Sequence, residues 1–129
     1  MTLEPVYLTQ LISGRNTWLT ARQSVVARNI ANSDSPGYKT KEIVPFKDFV
    51  ASTQIGVAAT NKMHIKDTSA ASYNAGSVRD GFGSAVKHSG NTVKLEHELV
   101  KAGEVSRSFS FNNNILRSFH RMLAMSVRG

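Results

Sequence analysis

Apolar residues recur at helical spacing in two stretches of this chain and thin out between them. In the first stretch, Leu11, Trp18 and Val25 stand seven residues apart, and so do Ile12, Leu19 and Val26. These adjacent heptad rows, with Leu8 before them and Ile30 after, form one apolar stripe on a helix predicted over residues 7–31. Such a helix is roughly 38 Å long. Its remaining surface is polar, through Gln10, Arg15, Asn16, Arg22, Gln23 and Arg28. In the second stretch, Leu95, Ala102, Phe109, Leu116 and Leu123 recur every seven residues. Leu99, Val105, Ile115, Phe119 and Met122 widen that stripe, which predicts a longer helix over residues 93–127. Asn91 or Thr92 can cap its start, and Glu96 and Glu98 fall where a helix dipole favours acids. Gly14 weakens the first helix by about 1 kcal/mol relative to alanine, and Gly103 is a comparable weak point in the second.

Residues 20–94 contain no leucine. The first helix stops at Asn32-Ser33-Asp34-Ser35-Pro36-Gly37-Tyr38. The short polar side chains compete for backbone groups, and Pro36 removes a donor and pushes Ser35 out of helical geometry. Pro36 and Gly37 suit the central positions of a type II turn, in which glycine takes the positive φ. A helix that ends on such a turn directs the next segment at a fixed angle, and the Tyr38 ring is placed to lock that angle or to fill a neighbour's pocket. Lys41 to Phe46 suits a short extended segment that Pro45 confines to a sheet edge. From Phe49 to Gly90 the chain is rich in Ala, Ser, Thr, Asn and Gly, too poor in large apolar groups to build a firm core alone. That stretch is expected to be mobile in isolation and to order on neighbouring subunits. The fold class predicted is mainly α: paired N- and C-terminal amphipathic helices, coiled-coil-like, with a long irregular and partly extended middle at residues 32–92, all in one domain of residues 1–129.

Composition narrows the chemistry. The 129 residues include 16 Lys and Arg against 9 Asp and Glu, a formal charge of +7, which permits anionic partners without identifying one. Absence of cysteine excludes disulfides and thiolate metal sites. No apolar run approaches the roughly 20 residues of a membrane span. Met1 to Gln10 lack the basic start and apolar core of a cleaved secretory leader, so export would need another route. His64, His88, His97 and His120 do not pair at metal-ligand spacing, and Gly81-Phe82-Gly83 lacks the context of a dinucleotide loop. Asp34 between Ser33 and Ser35 is explained by turn formation, without catalysis. No catalytic, cofactor or metal residues are therefore expected. Arg15, Arg22 and Arg28 on the first helix, with Arg117, Arg121 and Arg128 on the second, leave one alternative open: a basic helical nucleic-acid-binding protein.

Ala31-Asn32, followed by Ser35-Pro36-Gly37-Tyr38-Lys39 at the close of an amphipathic helix, resembles the signature of bacterial flagellar rod and hook proteins. Ser35 keeps the hydroxyl where threonine is usual in that family. The short chain, His64-Ile65, and Gly90-Asn91-Thr92-Val93 with Leu95 and Glu98 resemble its proximal rod members in particular. Lys94 departs from the family, which usually has an aspartate there, and removes a helix-capping acid; Ser106 to Phe111 also lacks the usual tyrosine. The resemblance implies a structural protein without enzymatic activity or cofactor, which builds a helical tube around an export channel. It implies further copies of the same chain, FlgC, FliE and other rod proteins as partners, with passage unfolded through the flagellar type III export apparatus to the periplasmic rod. Leu11, Trp18, Leu19, Val25, Leu95, Phe109, Leu116, Phe119 and Leu123 are then expected to form seams within and between subunits. Asn32, Ser35, Pro36, Gly37 and Tyr38 are expected to set the hinge.

Overall fold

The computed structural model describes residues 5–53, 77–81 and 86–129. Helix α1 spans Pro5–Ala31 and helix α3 spans Leu95–Arg128. Between them lie strand β1 (Lys41–Ile43), helix α2 (Phe46–Thr53) and strand β2 (Val78–Asp80). The cross-helix pairs Asn29–Glu98, Arg22–Glu104 and Asn16–Asn112 fall in reverse order, so α1 and α3 run antiparallel. Together they form a stem about 40–50 Å long.

On α1 the two apolar rows do face the stem's interior: Ile12, Trp18, Leu19, Val25 and Val26 are buried. Leu11, at the outer end of its row, is 36% exposed. The α3 seam differs from the leucine row read in the sequence. Its buried row is Glu98, Val105 and Asn112, again seven apart. Leu95, Phe109 and Leu123 stay 39–40% exposed, with Leu116 half-buried, because their row lies about 50° around the helix from the seam. The seam accepts polar residues because α1 supplies matching ones. The Asn112 side chain donates to the Asn16 carboxamide oxygen at 3.0 Å, and Asn16 donates to Asn113 at 3.5 Å. No buried side-chain nitrogen or oxygen among the described residues lacks a hydrogen-bond partner.

The apolar core sits where α1, α3 and the middle segment meet. Trp18, Leu19, Ile43 and Val105 cluster there, with Phe46, Phe49 and Ala21 packed against them. The Trp18 indole N–H donates to the Val44 carbonyl at 2.7 Å, so this ring belongs to the core and ties the residue after β1 to α1. Two readings of the middle segment need correction. It contains a helix of 8 residues, because Phe46 and Phe49 present one apolar face to Trp18. Pro45 is not in an edge strand: its carbonyl accepts from Asp48 and Phe49 at 3.0 and 3.1 Å, which starts α2 where a missing N–H is harmless. Strands β1 and β2 pair antiparallel, with Lys41 opposite Asp80 and Ile43 opposite Val78. His64, Ile65 and Phe82-Gly83, singled out in the sequence, lie outside the described residues.

Candidate functional site

At one end of the stem, the last turn of α1, the polar stop, β1 and the approach to α3 converge in a joint. Its first anchor is Asn29, fully buried. The Asn29 carboxamide donates to the Lys41 carbonyl at 2.8 Å and accepts from the Lys41 N–H at 3.0 Å, an imitation of strand pairing. It also accepts from the Tyr38 hydroxyl at 3.2 Å and donates to Glu98 at 3.0 Å. Tyr38 thus locks the turn back onto α1. The other oxygen of Glu98 accepts from Lys101 at 2.9 Å, and Lys101 lies 3.6 Å from Glu42 on β1. A buried carboxylate is tolerable only with such partners, so this trio ties α1, β1 and α3 together.

The second anchor is Asn91, 1% exposed. Its side chain donates to the carbonyls of Asn32 and Ser35 at 2.9 and 2.7 Å and accepts from the Val93 N–H at 2.7 Å. Neither Asn91 nor Thr92 caps α3, which corrects the sequence reading. The N-cap is Lys94, in extended geometry and without a side-chain hydrogen bond. Thr92 instead bonds the Thr40 N–H at 2.8 Å and its hydroxyl at 3.0 Å. Within the turn, Asn32 donates to the Arg28 carbonyl and accepts from the Ser35 hydroxyl. Gly37 has φ +72° and the Tyr38 N–H reaches the Ser35 carbonyl at 3.4 Å, as a type II turn with Pro36 before it requires. The Gly37 N–H also donates to Ser89 at 2.9 Å. Gly90, φ +78°, comes so close that a Cβ on it would stand 3.4 Å from the Gly37 Cα.

The hinge residues read from the sequence therefore meet in one place. Asn29, Glu98, Asn91, Thr40 and Thr92 complete it, and sequence reasoning missed their role because their partners lie far away in the chain. The seam residues divide: Trp18, Leu19 and Val25 are interior, Leu116 and Phe119 half-buried, and Leu11, Leu95, Phe109 and Leu123 at the rim. Two of the arginines behind the nucleic-acid alternative are engaged locally. Arg22 lies over the Trp18 ring and pairs with Glu104 at 3.3 Å, and Arg15 lies over Phe46.

The hydrogen-bonded joint closes one end of the two-helix stem, and the family match covers its α1 side and turn. The profile of the family described as flagella basal body rod protein matches residues 13–39, from within α1 through the turn. The chain is 37% identical over 131 residues to the flagellar basal body rod protein FlgB of Agrobacterium fabrum, an alignment covering 98% of this chain and 96% of that protein. The chain belongs to the flagellar basal body rod proteins, structural subunits of the bacterial flagellum and not enzymes. Neither the family nor the fold supports nucleic-acid binding. No helix among the described residues is long and apolar enough to cross a membrane.

Proposed function

We propose that this chain is a proximal rod subunit that assembles, as a single domain, with further copies of itself, FlgC, FliE and other rod proteins into a helical tube around the export channel. The observation that carries this reading is the joint: the segment matched by the rod family is held to the start of α3 by Asn29, Asn91 and Glu98. In this reading Trp18, Leu19 and Val25 hold the stem together. Leu11, Leu95, Phe109, Leu116, Phe119 and Leu123 are available for seams with neighbours. Asn32, Ser35, Pro36, Gly37 and Tyr38 turn the middle segment back onto α1, where β1 and α2 dock. The subunit reaches the periplasmic part of the rod unfolded, through the flagellar type III export apparatus. The monomer is then only partly ordered and gains structure on assembly.

The test is complementation of cells lacking the native subunit. Expression of this chain restores motility, and the chain is recovered at its unprocessed mass in purified basal bodies. Absence of the chain from basal bodies, with motility unrestored, overturns the reading.

A further inference from the structure

The stem carries an apolar groove on one flank, between the N-terminal half of α1 and the C-terminal half of α3. Leu8, Leu11, Phe111, Ile115, Phe119 and Met122 line its two hollows, of about 320 and 300 Å³. Phe111 is 65% and Met122 57% exposed. On the opposite flank of α3, near the joint, Leu95 and Leu99 project as knobs, 40% and 56% exposed. At 100° per residue the two sets lie roughly 160° apart around the helix.

From this placement we infer that a second copy of this chain fills the groove, inserting the Leu95–Leu99 ridge of its own α3 beside Phe111 and Ile115. Three features favour that occupant. The knobs are four residues apart and so are Phe111 and Ile115, so one shift along α3 registers both pairs. That shift is 16 residues, a stagger of about 24 Å. The charges agree: Glu96 borders the ridge, while Arg107 adjoins Ser108 of the groove lining one turn before Phe111, and neither has an ion-pair partner among the described residues. Finally, knobs on one flank and groove on the other make a heterologous contact that does not close on itself, as a tubular assembly requires. The inference rests on the rod-subunit reading and adds the faces and the stagger.

Because the chain has no cysteine, directed crosslinking reads the contact. Oxidation of the full chain carrying both Leu99→Cys and Ile115→Cys gives a ladder of covalent oligomers. Each single variant alone gives none, and a mixture of the two singles gives dimers only. Adding Glu96→Arg weakens self-association about two- to five-fold, the scale of an exposed ion pair. The affected positions are exposed or lie at the groove, and circular dichroism checks that the helices persist. Self-crosslinking of Leu99→Cys alone means an isologous contact and overturns the inference. So does a wild-type chain that stays monomeric at millimolar concentration, or one that oligomerises without a ladder in the double variant. An unchanged affinity in Glu96→Arg overturns the charge pairing. Failure of the rod reading is distinct, since it appears as absence from basal bodies.

Discussion

The two ends of the stem solve opposite problems. At the joint, Asn29, Asn91 and Glu98 are buried and each satisfies its polar atoms within the chain. Toward the other end, Phe111, Met122 and Met125 expose 57–65% of their surface, and from His120 onward every α3 residue is exposed. Buried hydrogen bonds are directional and penalise any other arrangement, so the joint specifies an angle. Exposed apolar surface is non-directional and rewards whatever covers it, so the far end specifies an appetite for neighbours. A subunit that must hold its shape and still polymerise gains from keeping the two apart.

The sharpest way to break this contrast is to truncate one residue at each end. Asn91→Ala removes three hydrogen bonds and leaves the N–H of the fully buried Val93 without its acceptor, and should destabilise the isolated chain by about 2–4 kcal/mol. Leu123→Ala, at a position 39% exposed, should cost less than about 1 kcal/mol in the isolated chain and act instead on assembly. Urea titration of the two variants measures both. Equal costs would mean that the joint is no more specified than the open end.

A second pair of substitutions separates backbone conformation from space. A Cβ at Gly37 meets nothing within 4 Å, but its φ of +72° strains any L side chain, so Gly37→Ala should destabilise by roughly 1–2 kcal/mol. Gly103, on α3, is equally uncrowded and has no positive φ. Gly103→Ala should therefore stabilise by about 0.5–1 kcal/mol. Opposite signs in thermal unfolding confirm that the turn, and not crowding, holds Gly37; equal signs overturn the type II assignment.

A smaller effect sharpens the start of α3. Lys94 occupies the N-cap with φ −105° and ψ 108°, the extended geometry a cap requires, but offers no acceptor. Lys94→Asp supplies one and places a negative charge at the helix N-terminus, so it should stabilise by about 0.5–1 kcal/mol in a melting experiment. No gain would show that the first amides of α3 are already satisfied.

These sites also mark how far the sequence is legible. The α1 rows and the Pro36-Gly37 turn are local signals, carried by spacing and by φ, and both appear in the structure. The α3 seam is misread because Glu98 and Asn112 count as surface residues until Asn29 and Asn16 face them, 69 and 96 positions away. A trace exists in the sequence: Glu98, Val105, Asn112 and Phe119 also recur every seven residues, but only an apolar row is conspicuous. Asn91 looks like a cap because Asn caps helices; its actual partners at Asn32 and Ser35 are created by the turn folding back. The strands, three residues each, are too short for alternation to reveal.

The smallest expected effect concerns acid. The Lys41 ammonium hydrogen-bonds Asp80 across β1 and β2 and, with a further contribution from the charge of Lys39, holds its carboxyl below the usual carboxylate range. The folded chain therefore releases this proton more readily than the unfolded one. The stabilisation is present in full above about pH 4, the ordinary Asp value, and is lost as pH falls through the lower folded value. Both partners are substantially exposed, 42% and 74%, so salt should screen the effect. Acid should then loosen β2 alone. Lys41 keeps its backbone bonds to Asn29, so β1 stays docked on α1. Measured against the exchange rate of the unfolded chain at the same pH, protection at Gly81, which donates to Thr40 at 2.8 Å, and at Val44, which donates to Ser77 at 3.0 Å, should fall in acid, while Lys41 stays protected. Simultaneous loss of protection at all three amides would mean that the joint does not hold its strand independently, and that its fixed angle depends on the outer strand as well.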